Sequence, residues 1–266
     1  MLKVAGIIPD IHIPWHDKAA LDCCLSVLVD LQIKLNRPLD QLNLLGDVAD
    51  FAAFKSWDKL KAEMKIDGTK QGHAKYEIQE LVKFLTNLRK LFPKTHIRFL
   101  EGNHEDRFHR YLLRGAPLVW EYINLQEILK LKDLEIEWVP FQRDEKPQYS
   151  YLLNTSCLLR HRPTNGGKHC AASTLSNAHK SVVFGDTHRR QSYCERTLDR
   201  VEIETISLGW LGDPSAPVFS YMDTDNWAHS FGVAYQFSED VEDYIIDVVK
   251  IKNSRAIYNA TVYQGT

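Results

Sequence analysis

Apolar runs that stop abruptly in polar, metal-competent residues recur along the chain. Val4-Ala-Gly-Ile-Ile8 runs into Pro9-Asp10-Ile11-His12, and Leu42-Asn-Leu-Leu45 into Gly46-Asp47-Val48-Ala49-Asp50. Phe99-Leu100 runs into Glu101-Gly102-Asn103-His104-Glu105, and Ser181-Val-Val-Phe184 into Gly185-Asp186-Thr187-His188. Each run is short and bounded by turn residues, as a buried strand is. Segments of helical period separate them. Over 19–35 apolar residues fall at Leu21, Leu25, Leu28, Leu31 and Leu35, and a second helix is predicted over 73–92, closing at Pro93. Gly102 is read as the residue that allows a tight turn after strand 95–100, with a helix resuming at Arg107 and carrying Arg110 and Arg114.

Beyond that helix the pattern predicts a helix over 117–132, a strand over 134–139, a polar break at 142–148 and a strand or hairpin over 149–159 that ends in Arg160-His161-Arg162. A small-residue helix is expected over 168–178. After His188 the chain turns to strands, at 191–196, 201–208, 230–237, 244–250 and 256–263. Segment 51–72, aromatic and lysine-rich with Trp57, reads either as a lid or as a plain surface excursion. Strands that alternate with crossover helices and then give way to a β-rich half predict an α/β protein with two mixed β-sheets packed face to face and helices outside. One continuous domain over 1–266 is expected, with the polar motifs in 10–188 and the β-rich part in 189–266.

A length of 266 residues and 44% hydrophobic content suit one large α/β domain with a substantial core. A net charge of -2 supplies no global basic field, so charge does not indicate nucleic acid or anionic lipid as a partner. No apolar run approaches a membrane span and the start of the chain is too quickly polar for a signal peptide, so a cytoplasmic protein is expected. The five cysteines are odd in number and lack C-x-x-C spacing, which fits reduced thiols and argues against a thiolate zinc site.

What the polar ends of the strands offer is oxygen and imidazole. Asp10, His12, Asp47, Asn103, His161, Asp186 and His188 form a donor set without sulfur, suited to Mn²⁺, Fe²⁺, Zn²⁺ or Mg²⁺. These donors exceed the needs of one tetrahedral ion. A two-metal site with a bridging carboxylate, its ions roughly 3.5–4 Å apart, is the economical expectation.

Asp10-x-His12, Gly46-Asp47-x-x-Asp50, Gly102-Asn103-His104-Glu105, His161 and Gly185-Asp186-x-His188, in that order, resemble the signature of the calcineurin-like metallophosphoesterases. The resemblance implies a four-layer α/β/β/α sandwich and a dinuclear metal-dependent phosphoric ester hydrolase, in which a metal-bound hydroxide attacks a phosphomonoester or phosphodiester. It implies that Asp10, His12 and His188 bind a first ion, that Asp47 bridges, and that Asn103 and His161 bind a second. His104 would face the substrate as catalytic residue, and Asp50 would orient it. Mn²⁺ is the expected metal, with Fe, Zn, Mg or Ni as alternatives.

Two departures from the family pattern stand out. Asp186 replaces the usual first histidine of Gly-His-x-His; it either coordinates the second ion or is a simple turn residue. Asp50-Phe51-Ala52 lacks the arginine that often follows the aspartate, so another guanidinium would have to bind phosphate. Arg107, just past His104, is preferred over Arg160, Arg162 and Arg189. The competing readings are a nuclease or cyclic-nucleotide-type phosphodiesterase, and a non-catalytic scaffold with an impaired second metal site.

Overall fold

In the computed structural model, residues 1–54, 73–141, 150–220 and 226–266 are described. Strand β1 (Lys3–Ile8) leads into helix α1 (Lys18–Leu35), strand β2 (Gln41–Leu44) and a 3₁₀ turn at Ala52–Phe54. Helix α2 (Ala74–Leu91), strand β3 (His96–Leu100) and helix α3 (Asn103–Gly115) follow, then short helices α4 (Pro117–Trp120) and α5 (Leu125–Ile128) and strand β4 (Ile136–Val139). Next come β5 (Ser150–Tyr151), β6 (Leu158–Arg160), helix α6 (Cys170–Ala178), β7 (Val182–Phe184), β8 (Arg190–Arg196) and β9 (Glu202–Leu208). Strands β10 (Ser230–Gln236), β11 (Tyr244–Lys250), β12 (Arg255–Tyr258) and β13 (Thr261–Gln264) complete the described chain.

A six-stranded sheet has the order β11-β10-β1-β2-β3-β4 and a five-stranded one the order β5-β6-β7-β9-β8, with β12 and β13 as a separate pair. Both large sheets are mixed. β1 through β4 are parallel to their neighbours, while β10 joins β1 antiparallel. In the second sheet β6, β7 and β9 are parallel and β5 and β8 flank them antiparallel.

Side-chain alternation along the strands sorts the core into layers. Val4 and Ile8 of β1 join the cluster on the helical side with Leu21, Leu28, Leu81 and Leu85, whereas Ala5 and Ile7 join the cluster between the sheets with Leu159, Val183, Ile206 and Leu208. Helix α6 covers the far side through Cys170 and Ala171 against Leu158, Val182 and Phe184. Helices, sheet, sheet and helix therefore stack as the sequence pattern implies. Asp17 sets the start of α1, its side chain accepting the Ala20 N–H at 2.9 Å, and Asn36 ends the helix in the left-handed conformation.

Three expectations need correction. The helix expected over 117–132 is two short helices, with Pro117 opening the first at a position where its missing N–H costs nothing. The strand expected over 256–263 is a hairpin, turned by Asn259 and Ala260 at φ 47° and 59°; without an Asn-Gly signal the β-rich run hid the turn. Helix α3 begins at Asn103 rather than resuming at Arg107, so Asn103 and His104 lie in its first turn. Parts of two expectations, 55–72 of the aromatic insert and the polar break at 142–148, lie outside the described residues.

Candidate metal centre

Parallel strands in both sheets end on one side of the molecule, and every candidate residue stands just past such an end, where open α/β sheets collect ligands. Asp10 and His12 follow β1, Asp47 and Asp50 follow β2, Asn103, His104 and Arg107 open α3 after β3, His161 follows β6, and Asp186 and His188 follow β7. All of these acids and histidines are buried except Asp186, which is half-buried.

The backbone there is strained. Asp10, His12, Asp47, Asp186 and His188 all have left-handed φ, at 31°, 59°, 48°, 62° and 56°. Each such residue costs on the order of 1–3 kcal/mol and persists only when its surroundings over-determine it. Main-chain bonds do so here: the His12 N–H donates to the Asp47 carbonyl at 2.9 Å, Leu211 N–H to Asp10 at 2.9 Å and Ala228 N–H to His188 at 3.0 Å. Two glycines allow the loops to close. A Cβ on Gly102 would lie 2.2 Å from Asp47 Oδ1, and one on Gly185 would lie 2.1 Å from Asp10 Oδ2. Gly102 has an ordinary φ of -92°, so close approach, not a tight turn, is what demands glycine.

Two groups of donors meet at Asp47. In the first, ligand atoms of Asp10, His12, Asp47 and His188 all lie within 4.8 Å of one another. The Nε2 atoms of His12 and His188 face each other at 3.0 Å, and Asp10 Oδ2 is buried with no hydrogen-bond partner. A buried carboxylate oxygen left in this state is costly unless a cation takes it up. Burial pushes the Asp10 carboxyl well above the usual range, against the pull of His161 and with the help of Asp47 and Asp186. The donors present therefore fit a divalent ion.

In the second group His161 Nε2 lies 3.2 Å from Asp47 Oδ1, 3.0 Å from Asn103 Oδ1 and 3.7 Å from Asp186 Oδ1. Its Nδ1 faces the Leu45 carbonyl at 2.8 Å, which fixes the ring. Burial alone would lower the His161 pKa, yet Asp47, Asp10 and Asp186 raise it to about 10, so the imidazolium answers the carboxylates. Asp47 feels the converse: burial would raise it, but His104, His161 and His12 hold it well below the usual carboxylate range. Asp186 thus lies beside His161, and Arg162 Nε sits 3.3 Å from both Asn103 Oδ1 and Asp186 Oδ1.

His104 lies beside both groups, its Nε2 3.5 Å from Asp47 Oδ2. Nδ1 meets the Asp50 backbone carbonyl at 2.8 Å, so the proton is assigned to Nδ1 and the Nε2 lone pair accepts from Arg107 at 2.7 Å. Burial, then the Arg107 guanidinium, lower the His104 pKa to about 4, and the ring is neutral. The Asp50 carboxylate reaches His12 Nδ1 at 3.1 Å and His104 Nδ1 at 3.3 Å, so it touches both rings.

Sequence reasoning assigned no role to Glu105. Its Oε2 accepts the N–H groups of Gly102 at 2.8 Å and Asp47 at 3.0 Å, and its Oε1 that of Ala49 at 2.8 Å. Its place three residues after the helix cap is the one signal that pointed to it. Trp210 is buried core that also stacks on His188 with centroids 4.8 Å apart. His16 and His169, which stand near these loops in the sequence, belong to neither donor group among the described residues.

No protein-family model matches the chain. The gene 54 protein of Mycobacterium phage L5 is 24% identical over 94% of this chain and 95% of its own length. That of Mycobacterium phage D29 is 25% identical with the same coverage. Among solved structures, the nuclease MPE of Pseudomonas putida aligns with a TM-score of 0.37 and 14% identity, over 86% of this chain and 83% of that one. A hypothetical protein of Pyrococcus horikoshii aligns with a TM-score of 0.45 and 11% identity, over 94% of this chain and 88% of that one.

Proposed function

We propose that the chain is a dinuclear metal-dependent phosphoesterase of the calcineurin-like type, formed as one domain over 1–266. The observation that carries this reading is the buried group of Asp10, His12, Asp47 and His188, in which Asp10 Oδ2 has no partner and Asp47 also meets His161 at 3.2 Å. Asp10, His12, Asp47 and His188 would hold one divalent cation, and Asp47, Asn103, His161 and Asp186 the other, with Mn²⁺ favoured by this oxygen-rich set. Such a pair, when bound, supplies positive charge for phosphoryl oxygens and an acidified water as nucleophile.

The remaining work falls to the chain itself. Arg107 takes the place of the arginine missing after Asp50: its NH1 donates to the Asp50 carbonyl at 3.1 Å, which holds the guanidinium fork beside His104. His104 meets the substrate neutral. Negative charge from a phosphoryl group beside Nε2 opposes the effects of burial and Arg107 and favours uptake of a proton from solvent water at Nε2, once the Arg107 N–H that donates there turns to the phosphoryl oxygens. That proton can then pass from Nε2 to the leaving oxygen, which returns the imidazole to its neutral state. Asp50 keeps Nδ1 engaged throughout.

Hydrolysis of para-nitrophenyl phosphate and bis-para-nitrophenyl phosphate, with Mn²⁺ and after chelation, tests the reading. Metal-dependent turnover that falls at least a hundredfold in His104→Ala is expected, and the preferred ester separates monoesterase from diesterase. Absence of turnover with every divalent ion, in a protein that binds none, would leave a scaffold in its place.

A further inference from the structure

We infer that the groove beside His188 is a track for single-stranded nucleic acid, which delivers a phosphodiester to the Asp47 donor groups. The inference gives the proposed phosphoesterase its substrate class, and in that respect rests on it. The groove has a volume of about 700 Å³ and is lined by Lys168, His169, Arg189, Arg190, Tyr193 and Asn226 among others. Arg189 directly follows His188, and Asn226 precedes Trp227, whose ring meets that of His188 edge-on with centroids 4.2 Å apart.

Charge and aromaticity together narrow the occupant. The chain as a whole carries a net charge of -2, yet Lys168, Arg189 and Arg190 collect here, and among the described residues none of them forms a salt bridge. At the far end of β8 the signs mix, with Arg196 and Glu202 3.8 Å apart and Glu195 bonded to the Tyr193 hydroxyl, so the positive field is confined to the end next to the donors. β8 is the edge strand of its sheet and is exposed over most of its length, and Tyr193 is 41% exposed on it.

A small phosphomonoester has no use for three cations and an exposed tyrosine lining a groove outside the donor groups. A repeating phosphodiester does, because each phosphate met by Lys or Arg releases counterions. Tyr193 and the half-buried Trp227 add flat faces of the kind on which unpaired bases stack. A duplex keeps its base faces hidden, and an acidic peptide has none. The combination therefore favours a single strand over either.

The test is fluorescence anisotropy of a labelled twenty-residue oligothymidylate with the intact protein, across a salt series, beside hydrolysis of bis-para-nitrophenyl phosphate by the same preparations. Wild type is expected to bind the strand more tightly than a duplex of equal length. Lys168→Glu combined with Arg190→Glu should weaken binding at least tenfold and reduce the salt slope by about 1.4, two phosphates at about 0.7 each. Tyr193→Ala, which leaves the charges in place, should weaken it roughly fivefold or more, the loss of one stacked base. Wild type that turns over the small ester without binding the strand, prefers the duplex, or matches both variants in affinity overturns the groove while sparing the phosphoesterase. Strand binding that follows these variants, without turnover of any ester, spares the groove and overturns the phosphoesterase.

Discussion

His161 Nδ1 and the Leu45 carbonyl are 2.8 Å apart, and this one hydrogen bond joins the loop after β6 in the second sheet to the loop after β2 in the first. The bond fixes which nitrogen faces inward. Nε2 is left aimed at Asp47 and Asn103, so the second donor group exists only while the two sheets hold their relative position.

His161→Asn separates the two groups experimentally. The shorter amide can reach the Leu45 carbonyl or the donors, not both. Metal content measured by mass spectrometry after gel filtration is expected to fall from two equivalents to one, with turnover reduced at least tenfold. Retention of two equivalents would remove His161 from the ligand set.

Glu105 holds the same region from below. Its two oxygens accept three backbone N–H groups, two of them in the loop that carries Asp47. Glu105→Gln turns one acceptor into a donor facing an N–H, which leaves at least one buried group unpaired. A loss of about 2 kcal/mol is expected, which lowers Tm by roughly 4–8 °C. Bound Mn²⁺ should restore part of the loss, because the loop is also held through Asp47.

How much of this was legible before folding depends on where the chemistry sits. Asp10, His12, Asp47, Asn103, His161, Asp186 and His188 stand within a few residues of apolar strand ends, and both the layers and the convergence of these residues follow from parallel strands ending on one side. Glu105 was not legible as a clamp, since two of its three partners lie in another loop 56 and 58 positions away. Gly102 was legible as necessary but for the wrong reason, because a close approach between loops leaves no local pattern. The basic groove was hidden by the near-zero net charge, which averages Arg189 and Arg190 with acids elsewhere on the surface. Only the fold brings the ring of the buried Trp210 against His188.

Cys157, between the sheets, gives a pH dependence remote from the donors. Burial pushes its thiol from 9.0 up to about 12. A folded-state pKa above the unfolded one means that the unfolded chain loses the proton first. The stability this confers is fully present below pH 9 and is lost as pH rises toward 12, by on the order of 4 kcal/mol at the limit. Cys157→Ala removes that group from the balance. Denaturant titrations between pH 8 and about 11 should show wild type losing stability more steeply than the variant, and parallel curves would refute the assignment.

Asp10→Asn distinguishes a metal ligand from a structural carboxylate by the sign of its effect. In the metal-free protein Asp10 is a buried acid with one oxygen unpartnered, its carboxyl raised first by burial and then by Asp47 and Asp186 against the pull of His161, so a neutral amide removes a burial cost larger than the attraction it gives up. Without divalent ions the variant should therefore melt at or above the wild-type temperature. With Mn²⁺ the order reverses. Occupancy at a hundred times Kd stabilises wild type by about 2.7 kcal/mol, a rise of roughly 5–10 °C, and the variant should gain less because the neutral amide lacks the carboxylate's charge toward the cation. If Asp10 served only to accept the Asp186 N–H, the amide oxygen would serve equally well, and wild type and variant would show the same Mn²⁺ shift. A crossing of the two melting temperatures between chelated and Mn²⁺-loaded samples is what a ligand predicts and a purely structural acid does not.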